Sequence, residues 1–118
     1  MATIMVVDDA AFVRMKYGRS LSAAGHTVVE AANGEEALEK YRESRPDGVL
    51  LDINMPGMDG LVTLHKIMEI DSTAQVAMVT AMGAQSIVLT AIKAGARDFV
   101  IKPTDADGVV STVSRLLA

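Results

Sequence analysis

Four apolar runs in this chain each end on a residue able to do chemistry. TIMVV (3–7) leads into Asp8-Asp9, VLL (49–51) into Asp52, QVAMV (75–79) into Thr80, and FVI (99–101) into Lys102. If those ends share one edge of a sheet, three carboxylates, a hydroxyl and an ammonium meet. Three crowded carboxylates repel, and at least one takes up a proton unless a cation joins them. A hard divalent ion relieves this, and Mg²⁺ suits a site of a few carboxylates completed by waters and phosphate oxygens. Lys102 adds a fixed positive charge and Thr80 a hydroxyl donor. Phosphoryl transfer needs such a set: a carboxylate nucleophile, with a metal and an ammonium to neutralise the equatorial oxygens. Singly, each residue has a plainer role. Asp8 or Asp9 could cap a helix, Asp52 a loop, Thr80 could be a strand-end hydroxyl, and Lys102 a surface charge. Only their joint placement points to chemistry.

The elements between these residues decide whether they meet. The run before Asp52 is apolar without alternation, as in a strand buried on both faces of a parallel sheet, and Pro56 and Gly57 then break the extended segment. Residues 10–24 read as a helix with Val13, Tyr17, Leu21 and Ala24 on its apolar stripe, stopped at Gly25. Gly18 inside it costs up to about 1 kcal/mol relative to Ala, and the sequence offers no reason for it. Residues 26–31 form a second strand. Asn33 with Glu36 makes a capping-box start for a helix to about residue 43, and Pro46-Asp47 turns into the central strand. Asp59 caps a third helix over 60–70, with Leu61, Leu64, Ile67 and Met68 on one side. A fourth helix spans 84–94, closed by Gly95. Thr104 with Asp107 opens a last one that runs to about residue 117. This alternation predicts an α/β fold with a parallel sheet and helices on both faces, because crossovers are right-handed. Ligands of such sheets bind at the carboxyl ends of the strands.

Composition removes several classes. At 118 residues the chain is one domain, 1–118, with 50% hydrophobic and 22% charged residues, as in a soluble globular protein. A net charge of −4 argues against direct nucleic-acid binding, which needs a basic field. No apolar run approaches the roughly 20 residues that span a bilayer, and no signal peptide is visible, so no membrane association is expected. Zero cysteines exclude disulfides and thiolate metal sites and fit a cytoplasmic location. His26 and His65 lack metal-ligand spacing. The eight methionines read as core filler, with Met55 and Met58 flanking the loop after Asp52.

Four segments together carry a family likeness: VVDD at the first strand end, LLDINMPGMDG around Asp52, VTA at 79–81, and AGARDFVIKP at 94–103. In this order and on these elements, the sequence closely resembles the receiver domains of two-component response regulators over essentially its whole length. The resemblance implies a five-stranded, doubly wound, flavodoxin-like sheet in the order 2-1-3-4-5 with five helices. That order is carried over from the family, whose chemotaxis member is itself a worked example of it. It also implies Asp52 as phosphoacceptor and Mg²⁺ held by Asp9 and Asp52 directly, by Asp8 mostly through water, and by the backbone carbonyl of Asn54. Thr80 and Lys102 would contact the phosphoryl group, Thr80 and Phe99 would form the switch, and the Lys102–Pro103 bond would be cis.

DDAAFVRM, TAMGAQ and AIKAGARDFV draw the likeness toward stand-alone chemotaxis regulators of the CheY type. A sensor histidine kinase or acetyl phosphate would then donate, and the receiver would catalyse its own phosphorylation and dephosphorylation without turning over an independent substrate. Its partners would be a flagellar motor switch protein and a phosphatase. Gln85, Val88, Leu89 and Ile92 would form the docking patch, unless Val88 and Ile92 are core. Two positions depart from many relatives: Thr104 where Phe is common, and Met82 where a polar residue is common, which opens the question of acyl-phosphate lifetime. Alternatives are a phosphorelay intermediate that passes its phosphoryl group to a histidine phosphotransfer protein, or a receiver excised from a larger regulator. A haloacid-dehalogenase-like phosphatase fits poorly, because Asp8-Asp9-Ala10-Ala11 is not its DxDx[TV] pattern.

Overall fold

The computed structural model describes residues 2–81, 85–102 and 106–118. Strands and helices alternate: β1 (Thr3–Val7), α1 (Ala11–Ala23), β2 (Thr27–Ala31), α2 (Gly34–Ser44), β3 (Gly48–Asp52), α3 (Gly60–Ile70), β4 (Val76–Ala81), α4 (Gln85–Lys93), β5 (Asp98–Lys102) and α5 (Ala106–Leu117). The five strands are parallel in the order β2-β1-β3-β4-β5, so the fold expected from the sequence is the fold observed.

The unbroken apolar runs have a direct explanation. Strand side chains alternate between faces, and here both faces are covered. Met5, Val7, Val49, Leu51, Val76 and Met78 pack under α2, α3 and α4 with Leu38, Leu64, Ile67 and Ala91. Ile4, Val6, Leu50, Ala77 and Val79 pack under α1 and α5 with Tyr17, Leu21, Val109 and Val113. Each fully buried Val or Leu contributes on the order of 1.5–3 kcal/mol, so the central strands anchor the domain. Asp8 and Asp52 lie at the ends of those best-anchored strands.

The helix starts follow their capping residues. Asn33 Oδ1 accepts the Glu36 amide at 2.8 Å, and Glu36 Oε1 reaches back to the amide of Ala32 at 3.3 Å, one residue before the cap. Asp59 Oδ1 accepts the Val62 amide at 2.9 Å. Several ends move by a residue or two. Helix α2 continues to Ser44, where Arg45 turns left-handed (φ 44°) ahead of Pro46, which cannot continue a helix. Helix α1 stops at Ala23, and Ala24, expected on its apolar stripe, is exposed at the turn before Gly25. Strand β5 is longer than expected, beginning at Asp98. Met82, Pro103 with its bond to Lys102, and Thr104 lie outside the described residues, as does the side chain of Gln85. Among the described residues, no helix is long and apolar enough to cross a membrane.

Candidate functional site

Register brings the acidic residues together. Strands β1 and β3 are neighbours, paired up to Val7 with Leu51. One step further along each chain come Asp8 and Asp52. Between these strands the order of connection reverses, and such a switch point leaves a crevice at the carboxyl edge. Asp8, Asp9 and Asp52 each offer a carboxylate oxygen there, all within 4.8 Å of one another. On the other side, β5 pairs with β4 up to Ala81 with Lys102, and the Lys102 side chain crosses back over the edge. Its Nζ lies 3.2 Å from Asp8 Oδ2 and 3.4 Å from Asp52 Oδ2. Thr80, one residue before the end of β4, is buried.

Electrostatically the cluster is short of cations. Asp8 and Asp52 are 2% and 3% exposed, whereas Asp9 is open to solvent. Burial pushes the Asp52 carboxyl up from its ordinary range and the Asp8 charge adds to this; Lys102 and the Asn54 amide oppose it without cancelling it. Burial alone would lower the Lys102 ammonium, but Asp52 and Asp8 outweigh it, so its pKa is raised. Three carboxylates facing one ammonium leave an excess of two negative charges when all are ionised. The oxygen donor set and that charge fit Mg²⁺, and the mutual crowding of Asp8 and Asp52 is the strain such an ion relieves.

The loop after β3 is held to the site by its backbone. The Asn54 amide donates to Asp52 Oδ1 at 3.2 Å, and the Gly60 amide donates to the Ile53 carbonyl at 3.0 Å. Gly60 must be glycine, because a Cβ there would collide with the Asp52 carbonyl. Asp8 combines two roles: its Oδ1 accepts the Ala10 amide at 2.9 Å, a turn bond ahead of α1, whose own N-cap is Ala10 and has no side-chain cap, while Oδ2 faces Lys102.

Two neighbours of the cluster were not among the site residues inferred from sequence. Arg14 donates from Nη1 to the Asp8 carbonyl at 2.7 Å and from Nε to Glu30 at 3.1 Å, bracing the end of β1 against β2. Its place on the first turns of the helix after Asp8-Asp9 was the available signal. Tyr17, read only as part of a core stripe, is buried near the same charges. Burial raises its phenol, Lys102 opposes this, and Asp8 and Asp52 add to it.

Phe99 and the α4 positions stand apart from the cluster. Phe99 is 38% exposed, and Leu89 and Ile92 are more exposed still at 55% and 45%. Ile87 and Ala91 form the inward stripe of α4, so Ile92 belongs to the surface and not to the core, and Val88 is half-buried.

The arrangement has known counterparts. The family model for the response regulator receiver domain matches residues 4–114. The chain belongs to that family. This receiver is 50% identical over 115 residues to the chemotaxis protein CheY of Bacillus subtilis, covering 97% of this chain and 96% of that one. It is 46% identical over 114 residues to CheY of Thermotoga maritima, with 96% and 95% covered. Among solved structures, CheY4 of Vibrio cholerae superposes with a TM-score of 0.94 at 28% identity, covering 99% of both chains. A CheX-CheY-BeF3-Mg²⁺ complex from Borrelia burgdorferi contains a chain matched at TM-score 0.93 and 35% identity, with 98% of this chain and 89% of that one covered. The same fold forms 26% of NtrX from Brucella abortus, at TM-score 0.94 and 34% identity.

Proposed function

We propose that this receiver is a CheY-like chemotaxis regulator whose phosphoacceptor is Asp52. The observation that carries the reading is the Lys102 ammonium spanning Asp8 and Asp52 beside the carboxylate of Asp9. Asp9, Asp52 and the backbone carbonyl of Asn54 would hold Mg²⁺, with Asp8 acting through water. When bound, the ion supplies charge neutralisation on the phosphoryl oxygens.

The Asp52 carboxylate attacks the phosphorus of a phosphohistidine in line. An O–P bond forms, the N–P bond breaks, and the imidazole, already protonated on its other ring nitrogen, leaves as the neutral ring. The product is an acyl phosphate that carries a charge of about −2 where the carboxylate carried about −1. Lys102 exchanges one of its carboxylate partners for a phosphoryl oxygen, and the Thr80 hydroxyl donates to another. Movement of Thr80 toward the site makes room for Phe99 to turn inward, and the surface of α4, β5 and α5 changes with it. The shift is only as large as the differential stabilisation of the active conformer.

The partners that follow are a sensor histidine kinase as donor, a flagellar motor switch protein as the reader of α4–β5–α5, and a phosphatase. The Borrelia complex of CheX and CheY with BeF3 and Mg²⁺ supports the metal and a protein partner here. The test is labelling by acetyl phosphate with and without Mg²⁺, followed by binding of the beryllofluoride form to a motor-switch peptide and to a histidine phosphotransfer domain. Labelling requires Mg²⁺ and vanishes in Asp52→Asn. Labelling that survives in Asp52→Asn overturns the assignment, and preference for the phosphotransfer domain replaces the motor output with a relay.

A further inference from the structure

The structure assigns a positioning role to Met58, a residue that touches none of the reacting groups. The loop over residues 53–59 follows Asp52 directly and carries the Asn54 amide that bonds to it. Its ends are tied by backbone, Ile53 to β4 and Gly60 to Ile53. In its middle Pro56 has no amide to donate, and Gly57 turns at φ 78°. Side chains hold this stretch. Met55 is buried in the core beneath α2 and α3, and Met58 packs at the border of the same core.

Met58 sits on a seat built for it. A Cβ added to Gly34, the first residue of α2, would lie 2.8 Å from Met58 Sδ and 2.9 Å from its Cγ, and would also collide with Thr63 Oγ1. The thioether therefore lies directly against bare backbone at the first turn of α2. That turn is rigid, since Asn33 and Glu36 cap it on both sides. The other wall is Thr63, fully buried, whose hydroxyl donates to the Asp59 carbonyl at 2.9 Å. Met58 is thus clamped between the starts of two helices, four residues after Asn54. This clamp fixes where the loop places the Asn54 peptide relative to Asp52.

A second methionine makes a matched control. Met68 packs against Gly95 in the same manner, with a Cβ there lying 2.9 Å from Met68 Cε. Gly95 precedes β5 at the opposite edge of the sheet, remote from the cluster.

The role in metal binding rests on the phosphoacceptor reading above; the role in placing the loop does not. Two measurements on each variant separate them: amide hydrogen exchange at Asn54 and Gly60, and Mg²⁺ affinity by calorimetry. Met58→Ala speeds exchange at both amides and weakens Mg²⁺ about tenfold, the scale typical of groups that orient metal ligands. Met58→Leu restores both to within about twofold, because it refills the seat at similar volume. Met68→Ala, which empties an equivalent seat, leaves both near the parent. Unchanged exchange in Met58→Ala, or equal effects from Met68→Ala, overturns the proposal. If the parent binds no Mg²⁺, the functional reading falls, and the exchange data alone still decide whether Met58 positions the loop.

Discussion

The two edges of the sheet use aspartate in opposite ways. At the amino edge each carboxylate has its own donors. Asp47 Oδ2 accepts the Thr3 amide at 2.8 Å. Asp71, just before β4, accepts the Thr73 hydroxyl at 2.6 Å, the Thr73 amide at 3.0 Å and the Tyr41 hydroxyl at 2.9 Å. Those bonds, Thr73's first among them, hold the Asp71 carboxyl below its ordinary range. At the carboxyl edge three carboxylates share one ammonium, and burial holds Asp52 above its ordinary range. The first arrangement stabilises the fold. The second costs stability and is suited to binding a cation.

The contrast predicts its largest effect at Asp52. A carboxyl whose folded pKa is raised contributes stability that is fully present below its unfolded value near 3.8 and is lost as pH rises through the folded value. At neutral pH the ionised Asp52 is therefore a cost. Asp52→Asn raises the melting temperature in metal-free buffer at pH 7, by the equivalent of about 1 kcal/mol or more, and the gain shrinks below pH 4. Saturating Mg²⁺ stabilises the parent, by about 2.7 kcal/mol at a hundred times the dissociation constant, and has little effect on Asp52→Asn. A variant that melts below the parent in metal-free buffer at pH 7 would remove the distinction between the two edges.

The amino edge responds in the other sense and less strongly. Tyr41→Phe deletes a bond from a buried hydroxyl and costs about 1 kcal/mol at pH 7. Burial first, and then the bond to Asp71, push the Tyr41 phenol up to about 12. Its contribution is complete below the ordinary value of 10 and is lost between pH 10 and 12, so alkaline denaturation in that window is shallower in Tyr41→Phe. Asp71 has the opposite sign: its contribution is present above 3.8 and is lost as pH falls through the lower folded value. Chemical denaturation at pH 3, 7 and 11 checks both, and at pH 7 the Mg²⁺ affinity of Tyr41→Phe matches that of the parent.

What the residues disclosed before folding follows the same division. The edge bearing Asp8, Asp9, Asp52, Thr80 and Lys102 was legible because each ends an apolar run, and strict alternation of strands and helices forces those ends to one side. The order 2-1-3-4-5 came only from likeness to a family, since pairing between strands distant in the chain leaves no local mark. Arg14 escaped notice because its partner at the site is a backbone carbonyl, which every residue has, and its other partner, Glu30, is distant in sequence. The seat of Met58 was also invisible: it consists of a missing side chain at Gly34, far away in sequence. The outward turn of Ile92 depends on where the α4 stripe falls, and in an apolar helix such as QSIVLTAIK several stripes are possible.

The smallest predicted effect resolves a glycine that the sequence left unexplained. Gly18 lies inside α1, where glycine costs about 0.5–1 kcal/mol relative to alanine. A Cβ there would meet only Val28 Cγ1, at 3.6 Å, an ordinary contact. Nothing in the packing requires glycine, in contrast to Gly34 and Gly60, where a Cβ would collide. Gly18→Ala therefore stabilises by about 0.5–1 kcal/mol in chemical denaturation, with phosphorylation and Mg²⁺ binding unaltered. Gly60→Ala does the reverse, because its Cβ meets the Asp52 carbonyl and the Ile53 Cα and must push the loop off the site. Two glycine-to-alanine changes of opposite sign, one mid-helix and one against the cluster, would measure how sharply the demands of the carboxyl edge end. If Gly60→Ala kept parental stability and Mg²⁺ affinity, close backbone approach would not be what places Asp52.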